Sequence, residues 1–82
     1  MAQEIKRPAL ASASPPFFEV YPGHSVKVLE FDEAVWVRLI AVEGDELLGI
    51  VTSRELGRES HHVRWRDVIE FKRQHVFGLH GE

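Results

Sequence analysis

The chain has 82 residues, a net charge of −3 and no cysteine. That length bounds it to one domain, and the lack of cysteine excludes disulfides and thiolate metal sites. The acidic balance argues against a general polyanion binder. No apolar run approaches the ~20 residues of a transmembrane helix, and the N-terminus lacks the apolar core of a signal peptide. A soluble, cytoplasmic protein with no membrane partner is therefore expected. The charge is uneven along the chain. Through Ile50 eight acids face four bases; from Val51 onward six bases face five acids, joined by His61, His62, His75 and His80.

Residues 1–16 are expected to form a disordered N-terminal tail. The stretch from Ala9 to Pro16 is small, polar and closed by a double proline, with too little apolar surface to offset the entropy of ordering it. Residues 17–72 carry the folded domain. Phe17 to Tyr21 is a predicted strand, because aromatic and β-branched residues suit a pleated surface. Pro22-Gly23 marks a turn. Ser25 to Phe31 alternates, with Val26 and Val28 on one face, and Asp32-Glu33 is a tight connection.

Ala34 to Val42 is the longest predicted strand. Regular alternation sets Val35, Val37, Leu39 and Ala41 on one face and Trp36, Arg38, Ile40 and Val42 on the other. Both faces are mostly apolar, so both need cover. In a small barrel one face fills the interior and the other meets a tail, a helix or a second subunit. Glu43 to Glu46 forms a hairpin loop in which Gly44 can take positive φ. Leu47 to Thr52 returns as a strand. Gly49 within it signals a bulge or a close approach, and Trp36 is predicted to lie over it.

Ser53 to Ser60 is a polar loop or a single helical turn ended by Gly57. His61 to Arg66 reads as an alternating strand with Val63 and Trp65 inward. His62, Arg64 and Arg66 then form an outward basic row. Asp67 starts a turn or short 3₁₀ segment, and Ile69 and Phe71 sit on a closing strand. Residues 73–82 are expected as a flexible C-terminal tail. The fold class is thus mainly β, and the layout resembles an SH3-like barrel of about five short antiparallel strands with flexible termini.

Several stretches resemble an uncharacterised bacterial family, domain of unknown function 2314. They are Val26-Lys27-Val28, Glu33-Ala34-Val35-Trp36-Val37-Arg38, Val42-Glu43-Gly44-Asp45 and Gly49-Ile50-Val51, with Val63 to Ile69 as the closing segment. The resemblance spans roughly Gly23 to Phe71 and implies an SH3-like fold; the family has no activity to carry over. A second SH3-like comparison, to the plasmid-borne type II dihydrofolate reductases, implies a pore-type oligomeric reductase. The Gln-Ile-Tyr strand that lines their pore would fall at Val63-Arg64-Trp65-Arg66, where neither the Gln nor the Tyr has a counterpart.

The candidate surfaces follow from the pattern. Trp36, Arg38, Ile40 and Val42 form a protein-interaction face, since Trp and Arg are enriched in interface hot spots; the partner is a second copy of the chain or another protein. His62, Arg64 and Arg66 are the alternative, a nucleic-acid surface, which requires an aromatic on the same exposed face. The adjacent His61 and His62 point to opposite faces of a strand, so a shared metal would need His24, His75 or His80; surface histidines are the plainer reading. Asp32, Glu33, Glu43, Asp45 and Glu46 all fall in turns, where solvent keeps a carboxylate ordinary. No nucleophile triad or phosphate loop is present. No catalytic residue, cofactor or metal is expected, and the most economical function is a non-enzymatic, self-associating interaction module.

Overall fold

A valine-rich alternation builds one sheet. The computed structural model describes residues 4–13, 18–30, 33–53 and 63–80. Its strands are β1 (Ile5–Lys6), β2 (Ser25–Glu30), β3 (Glu33–Glu43), β4 (Glu46–Val51), β5 (Val68–Lys72) and β6 (Gly78–His80), with a 3₁₀ turn at Arg73–His75 before the last. The fold is mainly β, a six-stranded sheet in the order β1-β5-β4-β3-β2-β6. The strands β2 to β5 follow one another as an antiparallel meander, and β1 pairs in parallel with β5. Among the described residues no ladder joins β1 to β6. The sheet is therefore mixed and open, where a closed antiparallel barrel was expected.

The core lies on one face of this sheet. Val26 and Val28 of β2, Val35, Val37 and Leu39 of β3, Leu47 and Val51 of β4, and Ile69 and Phe71 of β5 are all buried. Val20, Val63 and Val76 complete the cluster from the connecting segments. These are β-branched or large apolar side chains that pack well on a pleated surface. Two turns meet their backbone requirement with glycine: Gly23 has φ +96° and Gly44 has φ +62°, the region open to a residue without Cβ.

The register of β3 against β4 contains the decisive irregularity. Leu39 pairs with Gly49, but Ala41 pairs with Leu48, so Ile40 is an extra residue in β3. Such a β-bulge shifts the phase of everything beyond it. Val42 was expected on the outward face with Trp36, Arg38 and Ile40. It instead pairs with the buried Leu47 and packs against the core, while Ala41 moves outward. Gly49 also differs from expectation. A Cβ there would meet Val37 Cγ1 from the core side and lie 2.9 Å from the Arg38 carbonyl oxygen, so Val37, not Trp36, needs its space.

The termini differ as well. Residues 4–13, expected within a disordered tail, run along the sheet. Ile5 and Lys6 pair with Val68 and Ile69, and the amides of Ala11 and Ala13 donate to the carbonyls of Leu29 (3.0 Å) and Gln74 (2.7 Å). Lys6 to Asp67 (3.0 Å) and Arg7 to Glu70 (2.6 Å) are ion pairs that fasten this segment. Beyond residue 72, β6 pairs with β2 and the Val76 side chain enters the core. The described part of the predicted first strand, residues 18–21, is not a strand, although Val20 is buried.

The close approach at Gly49 makes a sharp expectation. Gly49→Ala should cost about 1–3 kcal/mol, the usual penalty for overpacking. Val37→Ala should relieve part of it, so that in urea denaturation the double variant loses less than the sum of the two single losses.

Candidate interaction surface

The face of the sheet opposite the core is set by alternation and by the bulge. Read across the strands, one row contains Ser25, Arg38, Ile50, Val68 and Ile5, and the next contains Ala41, Leu48 and Glu70. Ile40 bulges out at this level with half of its surface exposed (50%), and Ile5 is 42% exposed. Leu48, Ile50, Val68 and Trp36 are partly buried by their neighbours, while Arg38 and Ala41 are exposed. The result is a continuous apolar band on the outward face, crossing β1, β5, β4 and β3.

Charge closes the band at both ends. Toward the hairpin tip stand Glu43 and Glu46, which pair with each other in register. Here a shallow groove of about 180 Å³ is floored by Ile5, Ala41, Leu47 and Leu48 and rimmed by Glu43, Glu46 and Glu70. Glu70 is engaged by Arg7, and Glu46 by Lys72 at 3.8 Å. At the other end Lys27 pairs in register with Trp36, and Ser25 with Arg38.

Arg73 fixes the hairpin tip. Its backbone N–H donates to the Asp45 carbonyl (2.9 Å) and Nη2 donates to the Gly44 carbonyl (3.0 Å). Nη1 donates to the Phe18 carbonyl (3.4 Å), and Nε lies 3.3 Å from Asp45 Oδ1. The tip carrying Glu43 and Glu46 is thus tied to both flanking segments. Within the same 3₁₀ turn, the Lys72 backbone N–H donates to His75 Nδ1 (3.1 Å). Burial, reinforced by the nearby Lys72 charge, holds the His75 imidazole below the usual histidine range. The neutral ring therefore keeps Nδ1 as an acceptor.

The described part of the predicted basic strand, residues 63–66, is a turn and not a strand. The Asp67 N–H donates to the Arg64 carbonyl (3.0 Å), and Asp67 Oδ2 accepts from the Arg64 N–H (2.7 Å). Asp67 thereby takes the backbone donor that a ladder would have used. Arg66 closes the turn with φ +76°, an unusual conformation for a residue with a side chain. Its backbone N–H donates a hydrogen bond to the Val51 carbonyl (2.8 Å). Val63 is buried as expected, but Trp65 is 46% exposed instead of inward. Arg64 and Arg66 are exposed on the same turn, and the Arg66 guanidinium sits 5.3 Å from the Trp65 ring centroid. The segment compared with a reductase pore strand is this same turn.

Of the sequence-predicted interaction residues, then, Trp36, Arg38 and Ile40 share the outward face and Val42 does not. Trp36 also holds the end of β4, its carbonyl accepting from the Thr52 N–H (2.8 Å) and its N–H donating to Ser53 Oγ (2.7 Å). Arg64 and Arg66 come together with Trp65; His62 lies outside the described residues, as do His61 and the loop to Ser60. His24 packs edge-on against Tyr21 with ring centroids 5.5 Å apart. Among the described residues no group of three or more His, Cys, Asp or Glu side chains is arranged to hold a metal. No helix among them is long and apolar enough to cross a membrane. Sequence reasoning left out Leu48, Ile50 and Ile5. Alternation against Leu47 and Val51 signals the first two, whereas nothing local signals Ile5.

Compared with known proteins, the chain matches no family model, no curated protein and no solved structure.

Proposed function

We propose that this chain is a non-enzymatic interaction module that associates with a second copy of itself through the outward sheet face. The observation that carries this reading is the apolar band of Ile40, Ala41, Leu48, Ile50, Val68 and Ile5, bounded by charge at both ends. Contiguous exposed apolar surface with a polar rim marks an interaction site. A small domain also gains more than a large one from burying a second face, because its own core is small. The sheet edges are poorer docking sites: β1 has two residues and β6 three, and short edges offer little backbone to pair with. A cytoplasmic setting fits a chain without cysteine.

The test is sedimentation over a wide concentration range. Ile40 is exposed, so Ile40→Lys should leave the fold intact and weaken self-association by about tenfold or more. A wild-type chain that stays monomeric throughout overturns the reading.

A second reading rests on Trp65. An aromatic exposed between two arginines on one turn suits single-stranded nucleic acid, with the ring stacking on a base and the arginines meeting phosphates. In a gel shift with single-stranded RNA, binding should weaken steeply as salt rises, and Trp65→Ala should lower affinity about tenfold. Absence of any complex at low salt removes it.

A further inference from the structure

The outward face carries opposite charges toward its two ends. Arg38 stands two residues before the bulged Ile40, and Glu43 stands two residues after Ala41. At about 3.3 Å per residue these opposite charges lie roughly 16 Å apart along β3, with the apolar band between them. Both are exposed. Among the described residues neither Arg38 nor Glu43 has an ion-pair partner within the chain, whereas the neighbouring Glu46 faces Lys72 and Glu70 faces Arg7.

Resting on the self-association read above, we propose that two copies pack outward face against outward face about a two-fold axis that crosses the strands at Ile40 and Ala41. That axis reverses strand direction between the copies. It sets Arg38 of each copy over Glu43 of the other and brings Ile40, Ala41 and Leu48 of both together at the centre. In a two-fold interface every contact is made twice, so one such pair in the sequence supplies two at the interface. An axis along the strands would instead leave Arg38 facing the basic end of the second copy, and like charges across an interface oppose binding. Stacked sheets lie ~10 Å apart, a gap that an Arg and a Glu side chain span together. The tether of Arg73 to Gly44 and Asp45 holds the hairpin tip, and with it Glu43, in place for this contact.

Charge reversal on the full chain, followed by sedimentation equilibrium, separates the outcomes. Arg38→Glu alone and Glu43→Arg alone should each weaken the dimer by about tenfold or more, since each creates two like-charge contacts. The double variant R38E/E43R should return to within a few fold of the wild type, because every copy again carries both partners. Circular dichroism of each variant checks that the exposed substitutions leave the fold unchanged. A dimer that Ile40→Lys disrupts but that ignores both reversals rejects this arrangement and keeps the face. A double variant as weak as the singles rejects it too. A chain that is monomeric under all conditions overturns the arrangement together with self-association.

Discussion

One extra residue in β3 governs how this chain divides its apolar side chains. Before Ile40, β3 delivers Val35, Val37 and Leu39 to the core. After it the phase is reversed, so that Val42 goes in and Ala41 comes out. Without the bulge, one unbroken alternation would keep Ala41 inward and turn Val42 to solvent at the hairpin. With it, the hairpin tip keeps a packed pair, Val42 on Leu47, and the surplus residue is the isoleucine that projects from the outward face. A single change in register therefore packs Val42 into the core and sets Ala41 beside Ile40 on the outward face.

The rest of the fold adapts to that choice. Gly49 sits opposite Leu39, immediately beside the bulge, where the inner face is so crowded by Val37 and the Arg38 backbone that a side chain has no room. The N-terminal segment lies alongside β5 and is fastened through Lys6 and Arg7 to acids of the Asp67 turn and β5. The Arg7–Glu70 pair is exposed, and such a pair is worth less than about 1 kcal/mol; Lys6–Asp67 is part-buried, and β1 adds its backbone ladder to β5 and the Ile5 side chain beside Leu48. The two arms of charge on the outward face, Arg38 at one end and Glu43 with Glu46 at the other, are positioned by the same meander and by the Arg73 tether. In the proposed dimer the apolar middle of this face would supply the drive to associate, and its charged ends would supply orientation.

Much of the architecture was legible from residue order. The β2–β3–β4 meander follows from alternation in Val26 to Val28, the long run from Ala34 to Val42, and Gly44 at the turn. The closing strand follows from Ile69 and Phe71. What was not legible depends on contacts distant in sequence. Nothing in Leu39-Ile40-Ala41 announces a bulge, because it is the fit against Gly49 and Leu48 that selects the register. Ile5 and Lys6 become a strand only because β5 offers an open edge. The Arg64–Asp67 turn defeats a clean alternating pattern through one side chain, Asp67, which binds the Arg64 amide and leaves Trp65 at the surface. Among the interaction residues, Trp36, Arg38 and Ile40 were readable by period two. Val42 was misplaced by the same rule, applied across a break that the rule cannot detect.

The central claim is the register of β3 on β4, and cross-strand nuclear Overhauser contacts between backbone protons measure it directly. The bulged register places Ala41 opposite Leu48 and leaves Ile40 without a partner on β4, and the Val42 methyls should contact the core at Leu47. Contacts from Ile40 to Leu48 and from Ala41 to Leu47, as in an uninterrupted ladder, would contradict it.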